Sequence, residues 1–126
     1  MTDSVSKFID IVSVVLLDIK KYYVGDANIE RLVKKFQIAR QELPIKVFND
    51  IGKILAKYTD EIIELSESCN FNAFLTRDID EIDKAPESAQ VLITLIKDYA
   101  AQLNKDKQEK YAKYLYDLLE LYLDSI

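Results

Sequence analysis

The stretch from Pro44 to Leu65 reads PIKVFNDIGKILAKYTDEIIEL. Phe48, Ile51, Leu55, Tyr58, Ile62 and Leu65 recur in it at steps of three and four, and Ile54 and Ile63 widen the stripe. That spacing puts a broad apolar face on one side of a helix and requires neighbours to cover it. The pattern predicts one helix over 44–65, near the centre of the fold. Gly52 lies inside it, where glycine costs about 1 kcal/mol relative to alanine. A close approach by another helix is the reading that explains it.

The rest of the chain supports the same fold class. Among 126 residues there are only two Gly and two Pro. A β-sandwich or barrel of this length would need turns every few residues and would use more of both. The length suits one domain able to bury a core without a metal or disulfide staple. The expected fold is therefore all-α: a single domain over residues 1–126, a bundle of about five helices in orthogonal or irregular packing.

Composition also bounds function. The formal charge of -5 argues against non-specific binding to nucleic acid or to an anionic membrane. A single cysteine, Cys69, cannot form an intramolecular disulfide and fits a reducing, cytoplasmic compartment. The apolar run from Ile11 to Leu17, bracketed by Asp10 and Asp18, is too short for a membrane span and poorly built for a signal peptide. A bias to Ile, Lys, Tyr, Asp and Asn, without Trp or His, is shared by AT-rich genomes, including many large DNA viruses and low-GC bacteria.

In chain order, a first helix is expected over Ser4–Tyr23, with Gly25 as its left-handed stop. Asp26 or Asn28 opens a second helix that ends near Glu42. Leu43-Pro44 turns sharply into the third. The segment after Leu65, with Phe71, Phe74, Leu75, Ile79 and Ile82, is weakly periodic. Pro86 starts a fourth helix running to Asn104, and a fifth extends to about Leu123. The expected core is Phe8, Val12, Val15, Ile19, Leu32, Phe36, Phe48, Ile51, Leu55, Tyr58, Ile62, Leu92, Leu95, Ile96, Tyr99, Leu115, Leu118, Leu119 and Tyr122.

The absence of histidine excludes imidazole triads and two-histidine metal sites. Two isolated glycines exclude phosphate-cradling loops. What remains is carboxylate. Asp60-Glu61-x-x-Glu64, followed by Asp80-x-x-Asp83, resembles the paired EExxE and ExxD signature of the all-α nucleotide pyrophosphohydrolases. The resemblance implies Mg2+ held by Glu61, Glu64, Asp80 and Asp83 against a triphosphate. Asp stands where that pattern has Glu at two places, and the likeness covers only this short region.

A second constellation is basic. From Ile29 to Tyr58, Arg31, Lys34, Lys35, Arg40, Lys46, Lys53 and Lys57 outnumber Glu30, Glu42 and Asp50. Such a face over 31–57 could follow a phosphate backbone, though a solvated surface explains it as well. The third is the last helix, apolar on nearly all sides and carrying four of the eight tyrosines. Its lysines cluster early and its acids late, against the helix dipole. That order calls for complementary charge from another helix, in this chain or a second one. The expected function is a non-catalytic interaction or structural protein that self-associates or binds a protein partner through Tyr111, Tyr114, Tyr116, Leu121 and Leu123. No cofactor is expected on this reading, no membrane partner, and no nucleic acid.

Overall fold

A computed structural model describes residues 3–68, 86–99 and 102–126. Among them are six helices and no strand: α1 (Asp3–Tyr22), α2 (Ala27–Glu42), α3 (Pro44–Lys57), α4 (Thr59–Ser68), α5 (Glu87–Asp98) and α6 (Lys105–Ser125). The fold is all-α. The segment containing Phe71, Phe74, Leu75, Ile79 and Ile82 lies outside the described residues.

Local chemistry sets most of the boundaries. Gly25 ends the first connection with φ of 85°, a conformation that strains any residue bearing a Cβ. Asp26 caps α2, its carboxylate accepting from the backbone N–H groups of Asn28 and Ile29. Leu43 is held out of helical geometry at φ -138°, and Pro44 opens α3 directly after it. Asn104 caps α6 by accepting from the N–H of Lys107 at 3.0 Å.

Two boundaries differ from expectation. The single helix expected over 44–65 is two. Tyr58 N–H turns back to the Leu55 carbonyl at 3.1 Å, and the helical ladder restarts when Ile62 N–H bonds to the Tyr58 carbonyl. The Thr59 hydroxyl donates to the Ala56 carbonyl at 2.7 Å, a side-chain alternative to the helical ladder. Asp60 and Glu61 then occupy the first turn of α4, where the dipole favours them. The apolar stripe survives the break, since Ile62 and Leu65 are both buried. The fourth expected helix also ends sooner. Tyr99 closes α5 by donating its N–H to the Leu95 carbonyl, so the helix stops before Asn104.

α3 packs against each of the other five helices, which makes it the centre of the bundle. The expected core is buried, with Leu32, Tyr58 and Tyr99 half-buried at its margin; the Ile96 side chain lies outside the described set. Ile29, Val33, Val47, Ile54 and Tyr111 belong to the same core. Gly52 faces Tyr122 of α6: a Cβ there would lie 2.5 Å from the ring's Cγ and closer still to Cδ1 and Cε1. Glycine is required because an aromatic ring occupies the space.

α1 lies between α2 and α6 and runs antiparallel to both. Arg40 of α2 donates to Ser13 Oγ at 2.8 Å and to Asp10 at 3.1 Å, which satisfies the buried serine. On the other flank Lys110 of α6 reaches Asp18, and Lys107 sits 3.5 Å from the Tyr22 ring centroid. The α1–α2 connection is tied to α5. Tyr23 donates to the Tyr99 carbonyl at 2.8 Å, Asn28 donates to the Tyr99 hydroxyl at 3.0 Å, and the two tyrosine rings meet edge to face at 5.0 Å.

Candidate functional site

The acidic constellation divides at the edge of the described residues. Glu61 and Glu64 stand on α4, Glu61 half-buried and Glu64 exposed, and both have interaction partners within the chain. Asp80 and Asp83 lie outside the described residues. Among the described residues no three His, Cys, Asp or Glu side chains gather as a metal site requires.

The basic side chains of 31–57 are largely engaged within the fold. Arg40 bridges Ser13 and Asp10, Lys46 pairs with Asp50 at 2.6 Å, and Arg31 donates to Asn28 at 2.8 Å. Lys35 and Lys57 also have partners. These contacts draw the charges of the face towards neighbours in the chain.

The last helix is a central packing element. It packs against α1, α3 and α4 and buries Tyr111, Ala112, Leu115, Leu118, Leu119 and Tyr122. Tyr111 is only 1% exposed. Its ring belongs to the core, so it has no surface to offer a partner. Tyr114, Tyr116 and Leu121 are half-buried against the core, and Leu123 is 41% exposed. The outward positions Glu109, Lys113, Glu120 and Asp124 are charged and exposed.

One of the early lysines of α6, Lys110, finds a complement in α1. Asp18 Oδ2 accepts from both Lys110 Nζ at 2.9 Å and the Tyr111 hydroxyl at 3.0 Å. Burial raises the Asp18 carboxyl pKa, but these two hydrogen bonds and the charges of Lys110 and Lys21 outweigh it, so it sits below its usual value. Burial, then the carboxylate, pushes the Tyr111 phenol far above its own. The signs follow from linkage. A depressed carboxyl stabilises the fold above its unfolded pKa of about 3.9, and the contribution is lost as pH falls through the folded value. A raised phenol stabilises below its unfolded pKa of about 10, and that contribution is lost as pH rises beyond it. Asp18→Asn is therefore expected to lower stability at pH 7 by about 1–3 kcal/mol and to flatten the acid limb of a thermal-unfolding profile. An unchanged acid limb would show that the contact contributes nothing.

Two surface hollows stand out among the described residues. The first is a groove of about 450 Å3 between the N-terminal half of α1 and the C-terminal half of α6. Ile11 and Leu121 supply its apolar lining, and Lys7, Asp10, Asp117, Glu120 and Asp124 its charged side chains. Tyr116 hydrogen-bonds Glu120 beside it, which raises the tyrosine's pKa. The second is the turn after α1, where Val24 is 90% exposed. It tops a hollow of about 410 Å3 lined also by Leu17, Lys20, Lys21, Tyr23, Gly25 and Glu30. The spacing of Asp117, Glu120, Leu121 and Asp124 on one helix side is legible in the sequence. Their meeting with Ile11, more than a hundred residues earlier in the chain, is not.

The described residues define an all-α helical bundle. No family model, no curated protein and no solved structure matches the chain. No helix among the described residues is long and apolar enough to cross a membrane.

Proposed function

We propose that this chain is a non-catalytic protein–protein interaction or structural module, and that its contacts, including contacts with its own kind, involve the C-terminal helix. The observation that carries this reading is the α1–α6 groove. It is a concave surface with apolar Ile11 and Leu121 inside a charged border. An apolar centre with a polar rim is the anatomy of a protein contact. Tyr116 and the exposed Leu123 extend the surface along α6, while Tyr111 is excluded by its burial. A cytoplasmic setting suits a chain with one cysteine.

The test is an assay of the purified full chain with Mg2+ and a panel of nucleoside triphosphates. The expected result is no turnover above the Mg2+-free blank. Turnover that Glu61→Gln or Glu64→Gln abolishes would overturn the non-catalytic reading in favour of the pyrophosphohydrolase-like one.

A further inference from the structure

We propose that two copies of this chain pair about a two-fold axis, the α1–α6 face of each lying antiparallel on the same face of the other. The inference rests on the interaction reading above and adds the partner, the face and the symmetry.

α6 changes sign at its middle. Residues 105–114 carry four lysines and two acids, and residues 115–125 carry three acids and no base. Asp18 of α1 answers one of these charges, that of Lys110, and Arg40 answers Asp10 at the acidic end. Each half keeps an excess of one sign. Asp26 and Glu30 stand with Lys20 and Lys21 on the α2 side of α1, off this face.

Spacing sets the face. Lys7, Ile11, Val14 and Asp18 follow one another at steps of four and three along α1. Lys107, Lys110, Tyr114, Asp117, Leu121 and Asp124 do so along α6. Each series keeps to one side of its helix. The two sides border one seam, joined by the Asp18–Lys110 pair at 2.9 Å and by the groove that Ile11 and Leu121 line. Val14 is 47% exposed at mid-length, and the half-buried Ile11, Tyr114 and Leu121 continue the apolar strip. The two halves also differ in relief. The acidic half is hollow, as the groove of about 450 Å3. In the basic half side chains fill the seam: Lys107 Nζ lies 3.5 Å from the Tyr22 ring centroid and Lys110 Nζ 5.9 Å from that of Tyr114. A filled, basic half fits over a hollow, acidic one.

One copy cannot bring its own halves together, because they are opposite ends of the same two helices. Two such faces can stack about a two-fold axis in either of two ways. An axis along the helices lays acidic half on acidic half, and like charges across an interface are costly. An axis across the helices lays each acidic half on the other copy's lysines and sets α6 antiparallel to α6. Lys107 of one copy then stands opposite Asp124 of the second, and Tyr114 opposite Asp117. That contact is isologous and closes at the dimer. Two helices about 30 Å long and about 10 Å wide offer roughly 600 Å2 per copy. The total of roughly 1,200 Å2 is the lower end of specific interfaces.

The experiment is sedimentation equilibrium of the full chain over about a hundredfold range of concentration, reaching the high micromolar values that suit a small interface. Mass is expected to rise from 14.6 kDa to a plateau at twice that value, and the dimer to weaken in high salt. Lys107→Glu/Lys113→Glu turns the early half of α6 acidic, and Glu120→Lys/Asp124→Lys turns the late half basic; Lys110 is left in place because it holds Asp18. Each variant alone should self-associate about tenfold or more weakly. Their equimolar mixture should form a heterodimer tighter than either homodimer, because one then offers acid, and the other base, along the whole face. Circular dichroism checks the fold of each variant. A wild-type monomer throughout, mass climbing past the dimer without a plateau, a dimer indifferent to both reversals, or folded variants whose mixture stays monomeric would each overturn the inference. The nucleotide assay decides the interaction reading separately, so the two failures are distinguishable.

Discussion

Phe48→Ala is expected to destabilise the protein by about 3–5 kcal/mol, a third or more of the stability of a typical domain. The reason is position. Phe48 is buried on α3, its ring edge to face with Phe8 of α1 at 4.9 Å and tilted against Tyr122 of α6 at 5.4 Å. One ring thus joins three helices through aromatic pairs, each worth about 0.5–1.5 kcal/mol beyond its area. Truncation loses both pairs and leaves a cavity lined by rings too large to collapse into it. Urea unfolding gives the value from the midpoint at constant slope. A loss under about 1 kcal/mol would mean that the core repacks around the deletion and that α3 is not its centre.

Gly52→Ala carries two opposing terms, and their sizes decide its sign. Alanine in a helix interior gains about 1 kcal/mol over glycine. Its Cβ would fall on the buried Tyr122 ring. Overpacking costs about 1–3 kcal/mol and occasionally more. This is a demanding case, because the obstructed atoms, Cγ, Cδ1 and Cε1, form one edge of a rigid ring and are not the tip of a flexible chain. The net expectation is a loss of about 2 kcal/mol. The double variant Gly52→Ala/Tyr122→Leu isolates the cause. With the ring gone, the alanine should turn neutral or stabilising relative to Tyr122→Leu alone. A loss that persists in that background would place the cost elsewhere than in the ring contact.

These two positions show what could be read in advance. The Phe48 stripe announced itself at the helical period, and Gly52 signalled a close neighbour, yet nothing in the sequence named Tyr122 as that neighbour. The break at Tyr58 was hidden for a different reason. Apolar periodicity continues through it to Ile62 and Leu65, while Thr59 redirects the backbone with one hydroxyl. Tyr111 misled in the opposite sense. Tyrosines on a helix apolar all round suggest an interface, but this one is satisfied by Asp18 of α1, ninety-three residues away.

The sequence by itself determined the fold class, the corners at Gly25 and Pro44, a cap at Asp26 or Asn28, and most of the core. These depend on local backbone chemistry and on a period of three to four residues, which neighbours in the chain carry. Only the tertiary structure decided that the last helix packs against α1, α3 and α4, that its Lys110 answers Asp18, and that Ile11 and Leu121 meet in a groove bordered mostly by acids. Each of those depends on which helix faces which. Side-chain periodicity states that a face must be covered, and non-directional apolar burial leaves the identity of the cover to the packing of the whole chain.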